Sequence, residues 1–299
     1  MEDLTDVYMT PLPDSPYVRP FRFNYTQGGK EKNWDMLEVH DSVAIIVFNV
    51  TRNVLVFVKQ FRPAMDEMII SNVHTISIQE PEIKSLRLFY TLNGIERSRD
   101  IQTIYDTIIV TVFNVTRKVL IMTRHFRPTI YYNSVPIQDR QDHTIDTSKY
   151  PASLGITLEM CAGIVDKNKS LQEIAKEEVL EECGYDVPLY DLQKVASYRA
   201  GVGVQGSLQT MFYCEVTDEM KKGKGGGVED EIIEVVEKSI TDVENWISGP
   251  GPLNSPPSCL FALMWFLRNK ADKYRKSFER TCGECKIVTN DDFYVTSSN

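Results

Sequence analysis

Two pairs of short apolar runs dominate the first half of the chain. The first pair spans residues 43–48 and 54–58, and the second spans residues 108–113 and 119–122. A polar Asn-x-Thr-Arg segment separates the two runs of each pair. Apolar runs of this length on either side of a polar turn predict β-hairpins.

The second half carries a helical pattern with well-marked ends, within GIVDKNKSLQEIAKEEVLEECGY at residues 163–185. Ser170 followed by Glu173 is a capping box, in which each side chain satisfies an unpaired amide at a helix start. Gly184 suits the left-handed residue that commonly ends a helix. We therefore expect a helix between Ser170 and Gly184.

Three carboxylates share the apolar face of this helix. At about 100° per residue, Glu178, Glu181 and Glu182 fall on the arc that also carries leucine, isoleucine and alanine. An acidic helix face is commonly just solvated. Carboxylates that face the protein instead need cations, and Mg²⁺ prefers oxygen ligands of this kind. The glycine that precedes the helix, the cap and the shared face favour the metal site.

Elsewhere the pattern predicts further strands and one more helix. Strands are expected within 156–160, 193–200, 208–216 and 228–237. A further helix is expected to begin at Pro256 and Pro257. The polar segment 131–153 is expected to be a long loop. The glycine-rich segment KKGKGGG at 221–227 is expected to be a mobile tip.

An internal repeat organises the N-terminal half. Residues 22–63 align without a gap onto residues 87–128, with 18 of 42 positions identical. The strongest part of the match is VFNVTRNVLVFVKQFRP against VFNVTRKVLIMTRHFRP. Two copies are too few for a solenoid. We interpret them as two copies of one β-rich arm, and we expect the second copy in the main sheet because it runs on toward the helix that carries the carboxylates.

Composition and charge exclude several classes of protein. The chain has 299 residues, 42% of them hydrophobic and 25% charged, as in ordinary globular proteins. A formal net charge of −9 argues against nucleic acid as a partner. The N-terminus lacks the apolar core of a signal peptide, and no apolar run is long enough for a membrane helix, so no membrane partner is expected.

The six cysteines are scattered, unlike those of a secreted disulfide scaffold. Cys282 and Cys285 form a single CxxC without a second pair or a nearby histidine for zinc. This usage predicts a cytoplasmic protein.

The stretch from Gly163 resembles the Nudix box, G-x5-E-x7-R-E-U-x-E-E-x-G-U, where U is aliphatic. Six positions match in register: Gly163, Glu178, Val179, Glu181, Glu182 and Gly184. Three depart, because Lys169 replaces the first glutamate, Glu177 the arginine and Tyr185 the last aliphatic residue. The resemblance implies an α/β/α sandwich with a mixed sheet. In that family the arginine steadies the carboxylates, whereas Glu177 adds a negative charge beside them.

The resemblance also implies a set of site residues. The metal ligands would be Glu178, Glu182, Glu181 and the backbone carbonyl of Ala162. In the branch of the family that cleaves ADP-ribose and related sugars, the general base and one more ligand come from an acidic loop. By position these would be Glu229 as base and Glu231 as ligand, or the reverse, and Glu181 could also act in catalysis.

Two equivalent arginines follow the hairpins in Phe-Arg-Pro motifs, Arg62 and Arg127. An arginine at a strand end can clamp a diphosphate through paired hydrogen bonds. Only one of them can lie beside the Nudix helix, and we expect Arg127. The alternative is a surface arginine stacked on the preceding phenylalanine.

Within the family, the chain is similar to the UDP-sugar pyrophosphatase branch. The first copy contributes SPYVRP, KNWD, HDSV and VKQFRPA, and later segments contribute LEMCAGIVD and GSLQTMFYCEVTD. The likeness implies Mg²⁺-dependent (Mn²⁺ as a substitute) hydrolysis of UDP-glucose, with ADP-ribose as a further substrate, and a homodimer. We expect residues 1–84 to form an N-terminal β-rich region, residues 85–285 a Nudix domain, and residues 286–299 a flexible tail.

Two other functions remain open at this point. Because of Lys169 and Glu177, the chain could bind nucleotide with little turnover. Alternatively, the duplicated arm could serve a protein-interaction scaffold that needs no ligand.

Overall fold

The structure is a computed structural model. It describes residues 4–11, 19–27, 30–38, 41–58, 84–92, 95–140, 145–228 and 231–275. The Cys282–Cys285 pair and the expected tail, 286–299, lie outside the described residues.

The N-terminal part is built from seven strands in three small sheets. They are β1 Leu4–Pro11, β2 Arg19–Gln27, β3 Lys30–Glu38, β4 Val47–Asn49, β5 Val54–Val56, β6 Lys84–Leu92 and β7 Ile95–Thr103. Strands β2 and β3 pair, as do β4 and β5, while β6 pairs with both β1 and β7. All these pairs are antiparallel.

Two of these hairpins have the same internal ion pair. Arg22 in β2 donates to Asp35 in β3 at 2.6 and 2.9 Å. Arg87 in β6 donates to Asp100 in β7 at 2.6 and 3.0 Å. Each pair joins directly opposed residues, and the two pairs lie 65 positions apart in sequence. The sequence match therefore has a counterpart in strand register.

Among the described residues the central sheet has seven strands, of which the apolar pattern predicted six and missed Cys161–Ile164. They are β8 Thr107–Asn114, β9 Val119–Phe126, β10 Ile156–Glu159, β11 Cys161–Ile164, β12 Gln193–Arg199, β13 Leu208–Val216 and β14 Ile233–Ser239. Strand β13 is parallel to β8 and the other pairs are antiparallel, so the sheet is mixed.

The two strands of the hairpin β8–β9 diverge away from their turn. Its strands pair with each other only next to the turn, at 112–114 and 119–121. Beyond that point β10 pairs with β9 and β11 pairs with β8. The segment 156–164 therefore lies between β8 and β9, which places Ala162 and Gly163 in the middle of the sheet.

The helices are short. They are α1 Pro128–Ser134, α2 Leu171–Glu178, α3 Ile240–Ser248, α4 Pro257–Asn269 and α5 Ala271–Arg275. The expectation of a long loop at 131–153 is wrong in part, because α1 and two 3-10 turns lie within or across this segment. The reason is aromatic packing: Tyr131 is buried against Phe126, with ring centroids 5.6 Å apart.

Two apolar cores cover the two faces of the central sheet. One lies under α2 and includes Val112, Ile121 and Ile174. The other lies under α3 and α4 and includes Phe113, Leu120 and Phe266. The neighbouring residues of β8 and β9 alternate between the two cores, which explains why these strands are apolar on both faces. This arrangement is an α/β/α sandwich, as expected.

Candidate functional site

The site is organised by helix α2. The side-chain oxygen of Ser170 accepts from the amide of Glu173, whose carboxylate accepts from the amide of Ser170, so the predicted capping box is present. After Glu178 the helix continues as a π-helical turn, Val179–Cys183. It ends at Gly184, whose φ of 79° is left-handed. Both ends of the helix therefore lie where the sequence predicts.

The acidic residues of α2 face the protein. Glu182 is only 5% exposed, and Glu178 and Glu181 are partly buried. Ile174 and Ala175 on the same side are fully buried. The helical spacing thus predicted correctly that the carboxylates share the apolar face.

Burial disfavours the ionised forms of Glu178 and Glu182. It raises the pKa of Glu182 to about 8, and the charge of Glu178 adds to the rise. Burial also raises the pKa of Glu178 to about 7, with a further contribution from Glu181. The backbone N–H of Ala162 donates to Oε2 of Glu182 at 3.1 Å and partly offsets its rise. Among the described residues, no lysine or arginine forms an ion pair with Glu178 or Glu182.

Gly163 leaves room for one of these carboxylates. A Cβ atom built at Gly163 would overlap the carboxylate of Glu178. The glycine that begins the motif is therefore required by close packing of the helix on strand β11. Because Gly163 has no side chain, the carboxylate of Glu178 can lie directly against the backbone of β11.

Within the described residues, no three His, Cys, Asp or Glu side chains already surround one metal position. The donor set nevertheless suits a hard divalent cation, since it consists of buried or partly buried carboxylates that repel one another and form no ion pair among the described residues. The charge of Lys167 offsets the raised pKa of Glu178 only in part. Glu178, Glu182, Glu181 and Ala162 are the residues available to hold it. The amide of Ala162 contacts Glu182, and the role of its carbonyl stays a prediction.

The glycine-rich segment packs against the end of α2. The amide of Gly226 donates to the carbonyl of Glu182 at 2.8 Å, and the amide of Gly227 donates to that of Glu181 at 3.1 Å. Gly225 has a φ of 72°, and a Cβ there would overlap the carbonyl of Glu182. The expectation of a mobile tip is wrong in the structure, because these glycines satisfy carbonyls that a helix end leaves unpaired.

This packing brings Glu231 to the site. Oε2 of Glu231 accepts from the amide of Val228 at 3.1 Å. Its charge helps to raise the pKa of Glu178 and of Glu182, in each case after the larger effect of burial. Glu231 is therefore near both carboxylates although it is exposed. Glu229, the other predicted loop acid, lies outside the described residues.

Arg127 lies beside the site in a bidentate ion pair. Its Nε and Nη2 donate to the two carboxylate oxygens of Glu159, each at 2.7 Å. Burial disfavours both charges, but the pair raises the pKa of Arg127 and lowers that of Glu159. The charges of Glu182 and Glu231 also act on Arg127. The arginine thus belongs to the same electrostatic cluster as the helix carboxylates, while Arg62 lies outside the described residues.

The sequence analysis missed the polar side chains around Arg127. Thr157 donates to Oε1 of Glu159 at 2.6 Å, and the ring of His125 lies 2.9 Å from the hydroxyl of Thr123. Thr123, His125 and Arg127 alternate along β9 and beyond its end, and Thr157 and Glu159 alternate along β10. This alternation at the end of two apolar strands was the signal that could have found them.

Two of the three departures from the motif, Lys169 and Glu177, contact each other. Lys169 forms an ion pair with Oε1 of Glu177, and Nζ of Lys167 lies 3.4 Å from Oε2. The hydrogen bond from Lys169 is the main cause that lowers the pKa of Glu177. Lys169 stands where the motif has glutamate and Glu177 where it has arginine. The charges at these two positions are therefore the reverse of those in the motif, and in this chain the two side chains form an ion pair.

No protein-family model matches the chain. Two relatives described as uridine diphosphate glucose pyrophosphatase NUDT14 are similar to it over nearly their whole length. Those of Mus musculus and Bos taurus are 33% and 32% identical over 269 residues, which cover 89% of this chain and 95% of each relative.

Two other proteins are similar over part of a chain. A GDP-mannose pyrophosphatase of Salmonella typhimurium is 31% identical over 128 residues, 43% of this chain and 56% of that protein. A solved structure described as the crystal structure of ADP compounds hydrolase aligns with a TM-score of 0.47 and 16% identity, covering 72% of this chain and 98% of that one.

The two mammalian relatives match at more than 30% identity over almost their entire length. Together with the six motif positions on α2 and its flanks, this shows that the chain belongs to the Nudix hydrolase family, in the branch of the UDP-sugar pyrophosphatases.

Proposed function

We propose that this protein hydrolyses the diphosphate of a nucleoside diphosphate sugar to a nucleoside monophosphate and a sugar phosphate. UDP-glucose is the first candidate substrate and ADP-ribose the second. The observation that carries the proposal is the pair of carboxylates on α2, Glu178 and Glu182, held against strand β11 without a cationic partner among the described residues. The names of the mammalian relatives support the choice of UDP-glucose.

Mg²⁺, or Mn²⁺ in its place, is the proposed cofactor. Glu178, Glu182, Glu181 and the carbonyl of Ala162 would hold it, with Glu231 as a further ligand. Bound there, a divalent ion neutralises the diphosphate and lowers the pKa of a bound water. The high pKa values of Glu178 and Glu182 suit this role, because a cation recovers the cost of ionising them in a buried place.

The loop acids are proposed to accept the proton of the attacking water. Glu231 is held by the amide of Val228 close to the helix carboxylates. A carboxylate on the exposed side of the site can release that proton to solvent. Glu229, two positions earlier, is the alternative base, and Glu181 is a further candidate.

Arg127 is proposed to bind the diphosphate. A guanidinium has five N–H donors, and the ion pair with Glu159 uses Nε and one hydrogen of Nη2. The remaining donors are free to meet phosphate oxygens while Glu159 keeps the plane of the group fixed. Arg62 is the equivalent arginine of the first copy and a weaker candidate.

We further propose that the two N-terminal hairpin pairs are tandem copies of one arm. The equivalent ion pairs, Arg22–Asp35 and Arg87–Asp100, support this. The boundaries 1–84, 85–285 and 286–299 remain our proposed division of the chain. A homodimer is proposed from the family resemblance, and sedimentation as a monomer at micromolar concentration would refute it.

We place the protein in the cytoplasm. The four cysteines that the structure describes are buried and unpaired, which suits a reducing compartment. In the described part of the chain, no helix has the length and apolar character needed to cross a membrane.

The test is hydrolysis of UDP-glucose with and without Mg²⁺, followed by chromatography of UMP. We expect UMP release that needs the metal and that falls to background in Glu182→Gln. Tight binding of UDP-glucose without UMP release would favour a binding module instead. If neither Mg²⁺ nor nucleotide raises the melting temperature, the interaction scaffold is the better account.

A further inference from the structure

The hairpin β4–β5 exposes an apolar surface on both faces. Val47, Phe48, Leu55 and Val56 are each about half exposed, and Phe57, which follows β5, is 83% exposed. The neighbouring residues Val43, Ile45 and Ile46 are also exposed. Contiguous exposed apolar residues of this kind mark a surface that another part of a protein covers.

The equivalent residues of β8–β9 are buried. Val112, Phe113, Leu120, Ile121 and Met122 lie 65 positions after those of the first hairpin, and each is 0% exposed. Three of the five side chains are unchanged, Val56 is replaced by the similar Ile121, and Phe57 against Met122 is the largest change. The pattern of β4–β5 is thus that of a strand pair covered on both faces. In β8–β9 those covers are the core under α2 and the core under α4.

The turns of the two hairpins are built in the same way. The amide of Arg52 donates to Oδ1 of Asn49 at 2.9 Å, and the amide of Arg117 donates to Oδ1 of Asn114 at 2.9 Å. The residue after each arginine has a positive φ, 52° in the first turn and 56° in the second. The first hairpin is therefore already folded in the shape that the sheet requires.

The sheet contacts the second turn through its arginine. Nη2 of Arg117 donates to the hydroxyl of Tyr185 at 2.6 Å, and Nε lies 2.8 Å from Asp218. Arg117 also pairs with Glu237. Arg52 occupies the same turn position and carries the same side chain, so the three partners of Arg117 would accept it equally.

We infer that the β4–β5 segment, residues 43–58, is an alternative occupant of the place that β8–β9 fills in the central sheet. Either hairpin supplies the apolar faces, the turn and the arginine that the rest of the sheet contacts. Residues 59–155 provide ample chain to rejoin β10 when the first hairpin is in place. The central sheet would then exist in two forms, one that contains β8–β9 and one that contains β4–β5.

Exchange would change the wall of the site. Val58 would take the position of Thr123, whose hydroxyl lies 3.5 Å from the carbonyl of Glu159 and 2.9 Å from His125. The exchange would therefore replace the hydroxyl of Thr123 at this wall with an apolar side chain.

The test uses aspartate substitutions in the full-length chain. Val112→Asp places a charge in the occupied hairpin, Val47→Asp places the same charge at the equivalent exposed position, and the third variant carries both. Thermal unfolding shows whether the domain folds, and amide hydrogen exchange shows which hairpin is in the sheet. Neither measurement depends on turnover, so the result is separate from that of the proposed activity.

We expect Val112→Asp to keep a cooperative unfolding transition, with the amides of 47–56 becoming protected from exchange. Val47→Asp should behave as the unmodified protein, and the double variant should show no cooperative transition. Loss of the transition in Val112→Asp alone, to the same extent as in the double variant, would overturn the inference. So would a retained transition with 47–56 unprotected, because the sheet would then be tolerating aspartate at 112.

Discussion

The buried carboxylate of Glu182 should make the metal-free protein lose stability as the pH rises. Its folded pKa is about 8, whereas an unfolded glutamate titrates near 4.3. The folded value is raised, so the stability is fully present below about pH 4 and is lost as the pH rises toward 8. At 1.36 kcal/mol per pH unit, Glu182 alone costs about 2 kcal/mol more at pH 8 than at pH 6.

The assay is urea unfolding in EDTA at pH 6, 7 and 8, for the unmodified protein and for Glu182→Gln. The variant lacks the charge, so we expect its unfolding free energy to change by about 2 kcal/mol less over this range. Glu178, with a pKa of about 7, contributes a residual loss in the same direction in both proteins. Glu219→Gln, which removes an exposed carboxylate, is the matched control and should leave the slope unchanged.

Added Mg²⁺ should restore the lost stability at pH 8 in the unmodified protein, because carboxylate ligands bind metal in the ionised form. Glu182→Gln should gain much less. Parallel pH profiles of the two proteins in EDTA would refute the reasoning, since Glu182 would then ionise as an ordinary surface residue.

Three further predictions concern the surroundings of the carboxylates. Glu177→Arg alone should slightly lower the unfolding free energy, because the new arginine would face Lys169, whereas the double variant with Lys169→Glu should recover it; denaturant titration of all four proteins measures the coupling. Gly225→Ala should lower the rate of UDP-glucose hydrolysis at least tenfold, because a Cβ there overlaps the end of α2, while Gly203→Ala, with open space at its Cβ, should leave the rate unchanged. Arg127→Met should destabilise the fold by about 3 kcal/mol or more in thermal or urea unfolding, since it leaves a buried carboxylate unpaired.

A specific result would contradict each of these three predictions. Independent, additive effects of Glu177→Arg and Lys169→Glu would show that the exchanged ion pair contributes nothing. Equal rates for the Gly225 and Gly203 variants would mean that the glycine segment does not position the site. Unchanged stability of Arg127→Met would show that Glu159 finds another partner or takes up a proton.

Much of the helix could be predicted from sequence because its determinants are local. The cap at Ser170, the left-handed stop at Gly184 and the shared face of Glu178 and Glu182 depend only on residues within one or two turns. The central strands were predicted for a similar reason, since a run such as 108–113 is apolar on both faces.

The rest depends on contacts between residues far apart in the chain. Arg127 and Glu159 meet because β10 pairs with β9, and nothing near either residue specifies that pairing. The glycines at 225–227 resemble a flexible tip until the end of α2 is placed against them. Lys169 and Glu177 each weaken the motif when considered singly, and only their contact shows that the charges were exchanged together.

The family, the helix that carries the carboxylates and the two similar hairpins could all be inferred from the sequence alone. These features depend on local residue spacing and on the internal repeat. The spacing also put Glu182 on the face toward the protein, but its 5% exposure and the approach of Glu231 depend on how β11 and the glycine-rich segment pack against the helix. The fold places one hairpin inside the central sheet and leaves its near-copy outside that sheet. The physical reason is that both hairpins have the same local preferences, and the sheet has room for one.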